Sequence, residues 1–559
     1  MGLSSPNTIS TDLLIIGGGG AGLRAGIEAK KHGIDVLIAS HSRVGYGSNT
    51  SISGGGFAAA PRPQKSGGDL VDLPEQHLLD TITGGYFLSN LALTEIMVSG
   101  AEQQVKDLRR FGVRYTTAQA SPWIALSIDP GHSHLRLVYS QNAFGTDFTL
   151  PLRQYAQRQG VKFLEGILIT KLLKKGDRVV GAMGINFRGQ VLVFTALAII
   201  LATGGLGQVY LRSDNAAGAT GDGYALAYQA GAVLQDMEFV QFYPTSLGSG
   251  TPAFFYECFL LKTGGRLLNR LNEDIVVKHG LTDPMLLTRD RLSQAIAKEV
   301  ASGLGFADKI ALDLKQVSAK NMEILRPILP KGAPRGQNRF LVAPTAHFQI
   351  GGVKISQKAE TSIPGLYAAG EVCGGVHGAN RLSGNALTEV WVFGTVAGQE
   401  AARSTKETGR ALLPTDAIAA ETKRLQQLAS RQKGETAATL LQSLKETMWH
   451  RAGIIRDANA LQQALEQVAS LNQRYSRISV ADGRGLLRAL KLGNMLTASE
   501  MICRAAFYRR ESRGAHYRQD CPEQDNNNWA CNVLLRQENE RMTLDIKPVK
   551  LTRTSNVSK

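Results

Sequence analysis

The chain has 559 residues, of which 43% are hydrophobic and 20% are charged, as is usual for a folded globular protein. This length exceeds what one ordinary hydrophobic core holds, so two or three packed units are expected. The formal net charge is +16, but the basic residues are spread along the chain, without a long run or a stripe shared with aromatic residues. That distribution favours a general solubility or steering charge and argues against nucleic acid as a partner.

The five cysteines form no Cys-x-x-Cys pair; they are Cys258, Cys373, Cys503, Cys521 and Cys531. Iron–sulfur clusters and structural zinc sites are typically built on such pairs, so no metal site is expected. A small, odd number of cysteines suits a reducing compartment. The first residues lack the basic region of a secretory signal, and no apolar stretch is long enough to cross a bilayer. We therefore expect a cytoplasmic protein with no direct membrane span.

A glycine-rich turn lies between the first two predicted strands. Residues 17–22 read GGGGAG, which matches the pattern GxGxxG; a short apolar run precedes them, and a helix-like segment and a second strand at 34–39 follow. The three glycines of the pattern permit a tight turn, close approach of the backbone to a pyrophosphate, and close packing of helix on strand. The helix N-terminus offers free N–H groups to phosphates. The residues expected at the phosphates are Gly17, Gly19, Gly20, Ala21 and Gly22.

The end of the second strand bears on which dinucleotide is bound. NAD sites commonly place an acidic residue there to hold the ribose. Here the strand ends in Ala39, Ser40 and His41, with no carboxylate. The Ser40 hydroxyl is suited to a ribose, and the alternative is that Ser40 caps a turn.

Later segments carry a more specific signal. They are residues 48–56 (SNTSISGGG), 220–223 (TGDG), 241–245 (QFYPT), 288–290 (TRD), 346–352 (AHFQIGG), 369–371 (AGE), 377–385 (HGANRLSGN) and 511–516 (ESRGAH). In order and spacing these segments resemble the flavoprotein subunits of succinate dehydrogenase and fumarate reductase. The resemblance covers nearly the whole chain, which is identified as a member of that family.

The resemblance implies an α/β fold with a Rossmann-like FAD-binding domain in two sequence pieces, an inserted α+β capping domain and a C-terminal helical domain. The expected boundaries are 1–240 and 348–410 for the FAD-binding domain, 241–347 for the capping (substrate) domain, 411–505 for the helical domain and 506–559 for a C-terminal tail region. Helical spacing of Ile418, Leu425 and Leu428 independently indicates a helix in the third of these units.

The cofactor that the resemblance implies is FAD. The residues that fall on cofactor-binding positions are Gly17, Gly19, Gly20, Ala21, Gly22, Ser40, Asn49, Thr50, Ser51, Gly54, Gly55, Asp222, Glu371, Ala386 and Leu387. Family members that oxidise succinate in respiration attach FAD through a histidine, and Asn49 occupies that position. Because an amide cannot form the bond, we expect noncovalent FAD, which favours fumarate reduction over succinate oxidation.

The resemblance also implies which reaction is catalysed and which residues carry it out. Interconversion of fumarate and succinate moves a hydride between carbon and flavin N5 and a proton at the neighbouring carbon. Arg381 and His347 match carboxylate-binding positions, and Arg289 matches the proton shuttle, with Asp290 beside it expected to orient its side chain. Tyr243 stands where a second carboxylate-binding histidine is usual, so it offers a hydroxyl but no positive charge. The expected substrate is therefore fumarate or a similar small dicarboxylate.

Two features of the sequence leave alternatives open. The segment that usually holds a proton relay contains Glu257 and Lys262, which form either a substitute relay or an ordinary loop. Residues 129–136 (DPGHSHLR) resemble a segment of L-aspartate oxidase in which a carboxylate meets the substrate amino group, and Asp129 stands at that position. A second hypothesis is therefore an L-aspartate oxidase that forms iminoaspartate.

A third hypothesis is a flavin electron-transfer subunit of a larger complex. A dehydrogenase or quinone-linked reductase of this kind needs an iron–sulfur protein as its electron-transfer partner, because this chain carries no cluster ligands. Such a partner would place the protein at the inner face of the membrane as a peripheral component.

Overall fold

A computed structural model describes residues 2–60, 72–117, 124–247, 263–325 and 336–549. The strands of these residues are β1 (Asn7–Ser10), β2 (Leu13–Ile16), β3 (Val36–Ser40), β4 (Gly56–Ala58), β5 (Leu126–Ser127), β6 (Leu137–Tyr139), β7 (Lys162–Glu165), β8 (Ile167–Lys175), β9 (Arg178–Asn186), β10 (Val191–Thr195), β11 (Ala198–Leu201), β12 (Leu234–Gln235), β13 (Val240–Ser246), β14 (Arg266–Leu268), β15 (Ile310–Asp313), β16 (Arg339–Gln349), β17 (Gly352–Lys354), β18 (Leu366–Ala368), β19 (Cys373–Gly374), β20 (Ile455–Arg456), β21 (Tyr517–Arg518), β22 (Cys531–Glu538) and β23 (Arg541–Pro548).

The helices in the same part of the chain are α1 (Gly20–Lys30), α2 (Asn49–Ile52), α3 (Pro74–Gly84), α4 (Leu91–Arg110), α5 (Thr146–Arg158), α6 (Asp222–Gln229), α7 (Ile275–Lys278), α8 (Arg289–Ala301), α9 (Ala319–Leu325), α10 (Asn385–Glu407), α11 (Thr415–Ala429), α12 (Ala437–Arg451), α13 (Ala458–Tyr475), α14 (Gly483–Tyr508) and α15 (Asn526–Trp529).

A parallel sheet in the order β18-β11-β2-β3-β7 forms the centre of the first unit. Its middle strands β2 and β11 are buried along their whole length, which explains why they are uninterrupted apolar runs. Helix α10 packs closely against α1. At their contact a Cβ added to Gly398 would lie only 2.4 Å from the Ala25 carbonyl oxygen, so the side chain must be absent there. Since β18 and α10 follow the inserted segment in sequence, this Rossmann-like unit is assembled from two sequence pieces, as predicted.

The inserted segment has its own small core. Strands β13, β16, β15 and β14 form an antiparallel sheet, and α8 packs on it through Leu292 and Ile296, which contact a cluster that includes Ile310 and Val342. The pairing of β13 with β16 places Tyr243 opposite Thr345. The register shifts at His347, which lies between the partners of Gln241 and Phe242, and the His347 ring lies beside that of Tyr243.

The C-terminal part contains the long helices α11 to α14, in agreement with the predicted helical domain. The residues after α14 were expected to form a tail region, but those that the structure describes include regular strands. Strands β22 and β23 form a hairpin that joins β12 in a five-stranded sheet. A buried ion cluster, in which Arg509 pairs with Glu238 at 2.6 Å and Glu511 at 2.8 Å, ties this region to the first unit. None of the described helices combines the length and apolar character that crossing a membrane requires.

Candidate active site

A long cleft of about 1760 Å³ runs from the turn between β2 and α1 to the inserted unit. It opens at the carboxyl ends of the parallel strands, which is the usual place for a ligand in this kind of sheet. Gly19 is the N-cap of α1, so the free N–H groups of that helix start at the cleft. Gly17 has φ of +115°, and a Cβ there would lie 2.2 Å from the Ala202 carbonyl oxygen, so only glycine fits this turn.

The structure brings most of the predicted cofactor residues to this cleft. Those that line it are Gly17, Gly19, Gly20, Ala21, Ser40, Asn49, Thr50, Gly54, Asp222, Glu371, Ala386 and Leu387. Three others lie behind the lining. A Cβ at Gly22 would meet the Gly17 carbonyl oxygen at 2.0 Å, so Gly22 serves close packing, while Ser51 forms a capping box with Ser48 and Gly55 packs against Ser140.

Ser40 caps a turn and also lines the cleft. Its side chain lines the cleft, and its hydroxyl also accepts a hydrogen bond from the Ser42 amide at 3.3 Å. The turn-capping contact leaves one lone pair and the hydroxyl proton for a ligand.

Glu371 is a buried carboxyl at the middle of the cleft. It accepts hydrogen bonds from the Asn49 side-chain amide at 2.8 Å and from the Gln349 backbone amide at 3.1 Å. Burial raises the pKa of Glu371 to about 7, although both hydrogen bonds oppose the shift. The Asn49 carbonyl oxygen in turn accepts from the Ala216 amide at 2.9 Å, so Asn49 is held in one orientation.

Asp222 begins α6 and is a second carboxyl of the cleft, which is partly buried. Burial raises its pKa, while hydrogen bonds from Asn494 at 2.7 Å and Thr220 at 3.0 Å oppose the shift. The nearby Thr203 hydroxyl lines the cleft and is buried without a hydrogen-bond partner in the described part of the chain. The helix N-terminus, the carboxyls of Glu371 and Asp222 and this hydroxyl match what an extended dinucleotide requires, so the residues present fit FAD.

Arg381 lies at the other end of the cleft and is only 4% exposed. Its Nε and Nη2 atoms donate to the Gln241 side-chain oxygen at 3.2 and 2.7 Å, and Nη1 donates to the Leu382 carbonyl oxygen. Its guanidinium also stacks on the Phe348 ring, 4.8 Å from the centroid. Burial and the positive charge of Arg289 lower the pKa of Arg381 well below its ordinary range.

Arg289, His347 and Tyr243 complete this end of the cleft. Arg289 begins α8, and its Nη1 lies 3.0 Å from His347 Nε2, while Nη2 donates to Ser383 at 3.1 Å. The guanidinium lies 4.8 Å from the centre of the Tyr243 ring, which in turn lies 5.3 Å from the His347 ring. The three predicted catalytic residues therefore meet at one place, although Arg289 and Arg381 are far apart in sequence.

The site contains a carboxylate that sequence analysis did not identify. Asp214 lines the cleft and lies 2.9 Å from His347 Nδ1, and its other oxygen accepts from Asn215 at 2.9 Å. Burial, Arg289 and Arg381 lower the pKa of His347, and Asp214 opposes them. The sequence offers only a weak signal for this pair, an Asp-Asn dipeptide shortly before TGDG.

One expectation about the surroundings of Arg289 turns out differently, and a second lies outside the described residues. Asp290 accepts a hydrogen bond from the Tyr86 hydroxyl at 2.6 Å, so its observed partner is Tyr86 instead of the neighbouring arginine. The relay hypothesis for Glu257 and Lys262 concerns residues outside the described ranges.

The chain is similar to known proteins in sequence and in fold. A family model described as FAD binding domain matches residues 12–387, and one described as Fumarate reductase flavoprotein C-term matches residues 441–558. The chain is 36% identical to an uncharacterised FAD-dependent oxidoreductase of Methanocaldococcus jannaschii, covering 94% of this chain and 96% of the relative. It is 34% identical to one of the subunits of the fumarate reductase (CoM/CoB) of Methanothermobacter marburgensis, covering 95% and 97% respectively.

A solved structure shows the same fold. The FrdA chain of a mutant E. coli quinol fumarate reductase has a TM-score of 0.89 and 29% identity, covering 98% of this chain and 97% of that one. The fold and the cleft thus define an FAD-dependent oxidoreductase. The chain belongs to the flavoprotein family of succinate dehydrogenase and fumarate reductase.

Proposed function

We propose that this protein reduces the carbon–carbon double bond of fumarate, or of a similar small dicarboxylate, with noncovalently bound FAD. The observation that carries the proposal is the pair Arg289 and Arg381 at the end of the FAD cleft. Within the part of the chain that the structure describes, both guanidiniums donate to neutral acceptors, and neither forms a salt bridge. Partly or fully buried positive charges that form no salt bridge favour binding of an anion.

The chemistry follows from the positions of these side chains. When bound, FAD supplies the electron pair of the reduction as a hydride from N5. Arg381 grips a carboxylate with its planar fork, and His347 and Tyr243 contribute further polar contacts. Arg289 donates the proton that the second carbon of the double bond receives. An arginine is a poor acid in water, but in a closed site it transfers the proton only as negative charge develops on that carbon.

The direction of the reaction follows from Asn49. An amide at this position forms no covalent bond to the cofactor, and a noncovalent flavin has a lower potential than a covalent one in this family. Electrons therefore pass more readily from the flavin to fumarate than from succinate to the flavin.

The source of electrons is a partner protein. The M. marburgensis relative is named as one component of a complex, and the described residues contain no group of side chains suited to a metal cluster. We propose that an iron–sulfur subunit supplies the electrons and that the protein is cytoplasmic or peripheral to the inner face of the membrane through this subunit.

A second candidate is oxidation of L-aspartate. Asp129 lines a small pocket together with Arg289, Arg381 and Ser383, so a carboxylate stands near the arginine pair. In that position it is suited to the amino group of an amino acid dicarboxylate. We prefer fumarate reduction because neither arginine forms a salt bridge in the described residues and relatives of this chain are named as fumarate reductases.

A substrate panel distinguishes the two candidates. Purified FAD-loaded protein is assayed anaerobically with a reduced viologen dye and fumarate, methylfumarate or succinate, and in air with L-aspartate. We expect dye oxidation with fumarate or methylfumarate and no hydrogen peroxide with L-aspartate. Peroxide formation with L-aspartate, without any dye oxidation, would establish the second candidate in place of the first.

Noncovalent attachment of FAD gives a separate prediction. Because Asn49 cannot form the covalent link, precipitation of the holoprotein with trichloroacetic acid should release all of the yellow colour into the supernatant. The measurement is the flavin absorbance of supernatant and pellet, with a covalent flavoprotein treated in parallel as a control. Flavin retained in a washed pellet would show that another residue holds the cofactor.

A further inference from the structure

His347 belongs to a hydrogen-bonded chain that leads away from the arginine pair. Its Nδ1 atom meets Asp214 at 2.9 Å, Asp214 accepts from Asn215 at 2.9 Å, and Asn215 accepts from Asn49 at 3.2 Å. The Asp214 side chain is 3% exposed and that of His347 is 22% exposed. The carboxylate is thus enclosed behind the imidazole, while the imidazole faces the cleft.

This arrangement defines which nitrogen of His347 carries a proton. A carboxylate only accepts hydrogen bonds, so Nδ1 donates to Asp214. In the neutral ring, Nε2 is then an acceptor, and it receives the Nη1 donor of Arg289 at 3.0 Å. In this state His347 offers no proton to a carboxylate in the cleft, and a second proton must bind at Nε2 before it can do so.

The charges around His347 favour that second proton once a dianion is bound. Among the residues that the structure describes, the charged and titratable groups that face it are Arg289 from α8, Arg381 from the loop before α10, Asp214 from the loop after β11 and Tyr243 from β13. Two guanidiniums and one carboxylate sum to +1. A bound dianion changes this to −1, and one proton on His347 restores neutrality, which a buried site favours strongly.

We infer that Asp214 is a positioning residue that enables His347 to take up a proton when a dianionic ligand binds, so that the site binds a dicarboxylate and one proton together. The inference rests on the proposed function, since it takes a dicarboxylate as the ligand. It also explains how a site with Tyr243, which carries no positive charge, obtains a third cationic donor for the substrate.

The pH dependence has a definite sign. In the free site, burial and the two arginines lower the pKa of His347, so the ring is neutral at about pH 7.5. A bound dianion offsets the arginines, so the pKa rises in the complex. Ligand affinity therefore increases as the pH falls through the pKa of the complex and becomes constant below the pKa of the free site.

The test measures the protons taken up per ligand with the oxidised, FAD-loaded full chain and malonate, a dicarboxylate without a double bond to reduce. Titration calorimetry near neutral pH in two buffers of different ionisation enthalpy gives this number directly. We expect uptake close to one proton for the wild type and close to zero for Asp214→Asn and for His347→Gln. The Kd of Asp214→Asn should rise about tenfold, the equivalent of one pKa unit.

Two further variants complete the design. Asp177→Asn makes the same charge change in an exposed turn between β8 and β9 and should match the wild type. Asp214→Glu keeps the carboxylate and should recover part of the proton uptake, and His347→Gln alone supplies the comparison with the wild type if Asp214→Asn fails to retain FAD.

The outcomes separate this inference from the proposed function. Wild-type proton uptake that persists in Asp214→Asn or in His347→Gln would overturn the inference and assign the proton to another group, such as Glu371, whose pKa is about 7. Failure of the wild type to bind malonate, with no reoxidation of the reduced flavin by fumarate, would overturn the proposed function and this inference with it. Malonate binding without proton uptake would overturn the inference alone.

Discussion

Replacing Arg289 by glutamine is expected to lower kcat for fumarate reduction by about 10³- to 10⁴-fold, the usual range for loss of a general acid with its charge. The FAD content should be unchanged, because the observed contacts of Arg289 are with His347, Ser383 and Tyr243 at the far end of the cleft. Steady-state kinetics with a reduced viologen dye, together with the flavin spectrum of the purified variant, measure both quantities.

A matched control lies two residues along the same helix. Arg291 is exposed, and its Nε atom approaches the Tyr86 hydroxyl at 3.4 Å. Arg291→Gln makes the same chemical change at α8 and should leave kcat within about twofold, as expected for a surface substitution. If Arg289→Gln retains near-normal kcat, Arg289 is not the proton donor.

Arg381→Gln should act mainly on binding. The guanidinium is almost fully buried and has only neutral acceptors around it in the described residues, so we expect it to form a charge-assisted pair with a substrate carboxylate. Loss of such a buried pair costs about 2–5 kcal/mol, so the Kd for malonate or fumarate should rise by about 30- to 4,000-fold. Perturbation of the flavin spectrum during ligand titration gives this Kd without turnover.

The control for this variant is Arg188→Gln, in an exposed turn between β9 and β10. It lowers the net charge by the same amount and should leave the Kd unchanged. An Arg381→Gln variant that loads FAD and binds malonate as tightly as the wild type would remove Arg381 from the carboxylate clamp. The two arginine variants together separate a defect in kcat from a defect in binding.

The part of the site that the sequence predicts most directly is the glycine turn. A tight turn, a helix N-terminus and close packing are local requirements, and residues 17–22 express them within one short motif. Arg289, His347 and Arg381 are different, because β16 and α8 bring them together from distant parts of the chain. No regular spacing of residues in the sequence predicts that these three side chains lie together. Only the resemblance to a family predicted it.

The residues that sequence analysis missed or misplaced have physical explanations. Asp214 meets His347 across 133 positions of sequence, so no local pattern reveals it. Asp290 follows Arg289 directly, but successive residues of a helix point in different directions, and Asp290 turns to Tyr86. The hairpin after α14 could have been predicted in part. In β22, Cys531, Val533 and Leu535 are buried and alternate with more exposed residues, as is typical of a strand.

We propose that a dicarboxylate binds at the arginine pair and is reduced by the flavin. Single turnover tests it most directly: the holoprotein is photoreduced without oxygen and mixed rapidly with fumarate, while flavin absorbance and succinate are both measured. We predict reoxidation of the flavin with formation of one succinate per FAD, and no such reaction in Arg289→Gln. A flavin that stays reduced in the presence of fumarate and methylfumarate, in protein with full FAD content, would contradict the account.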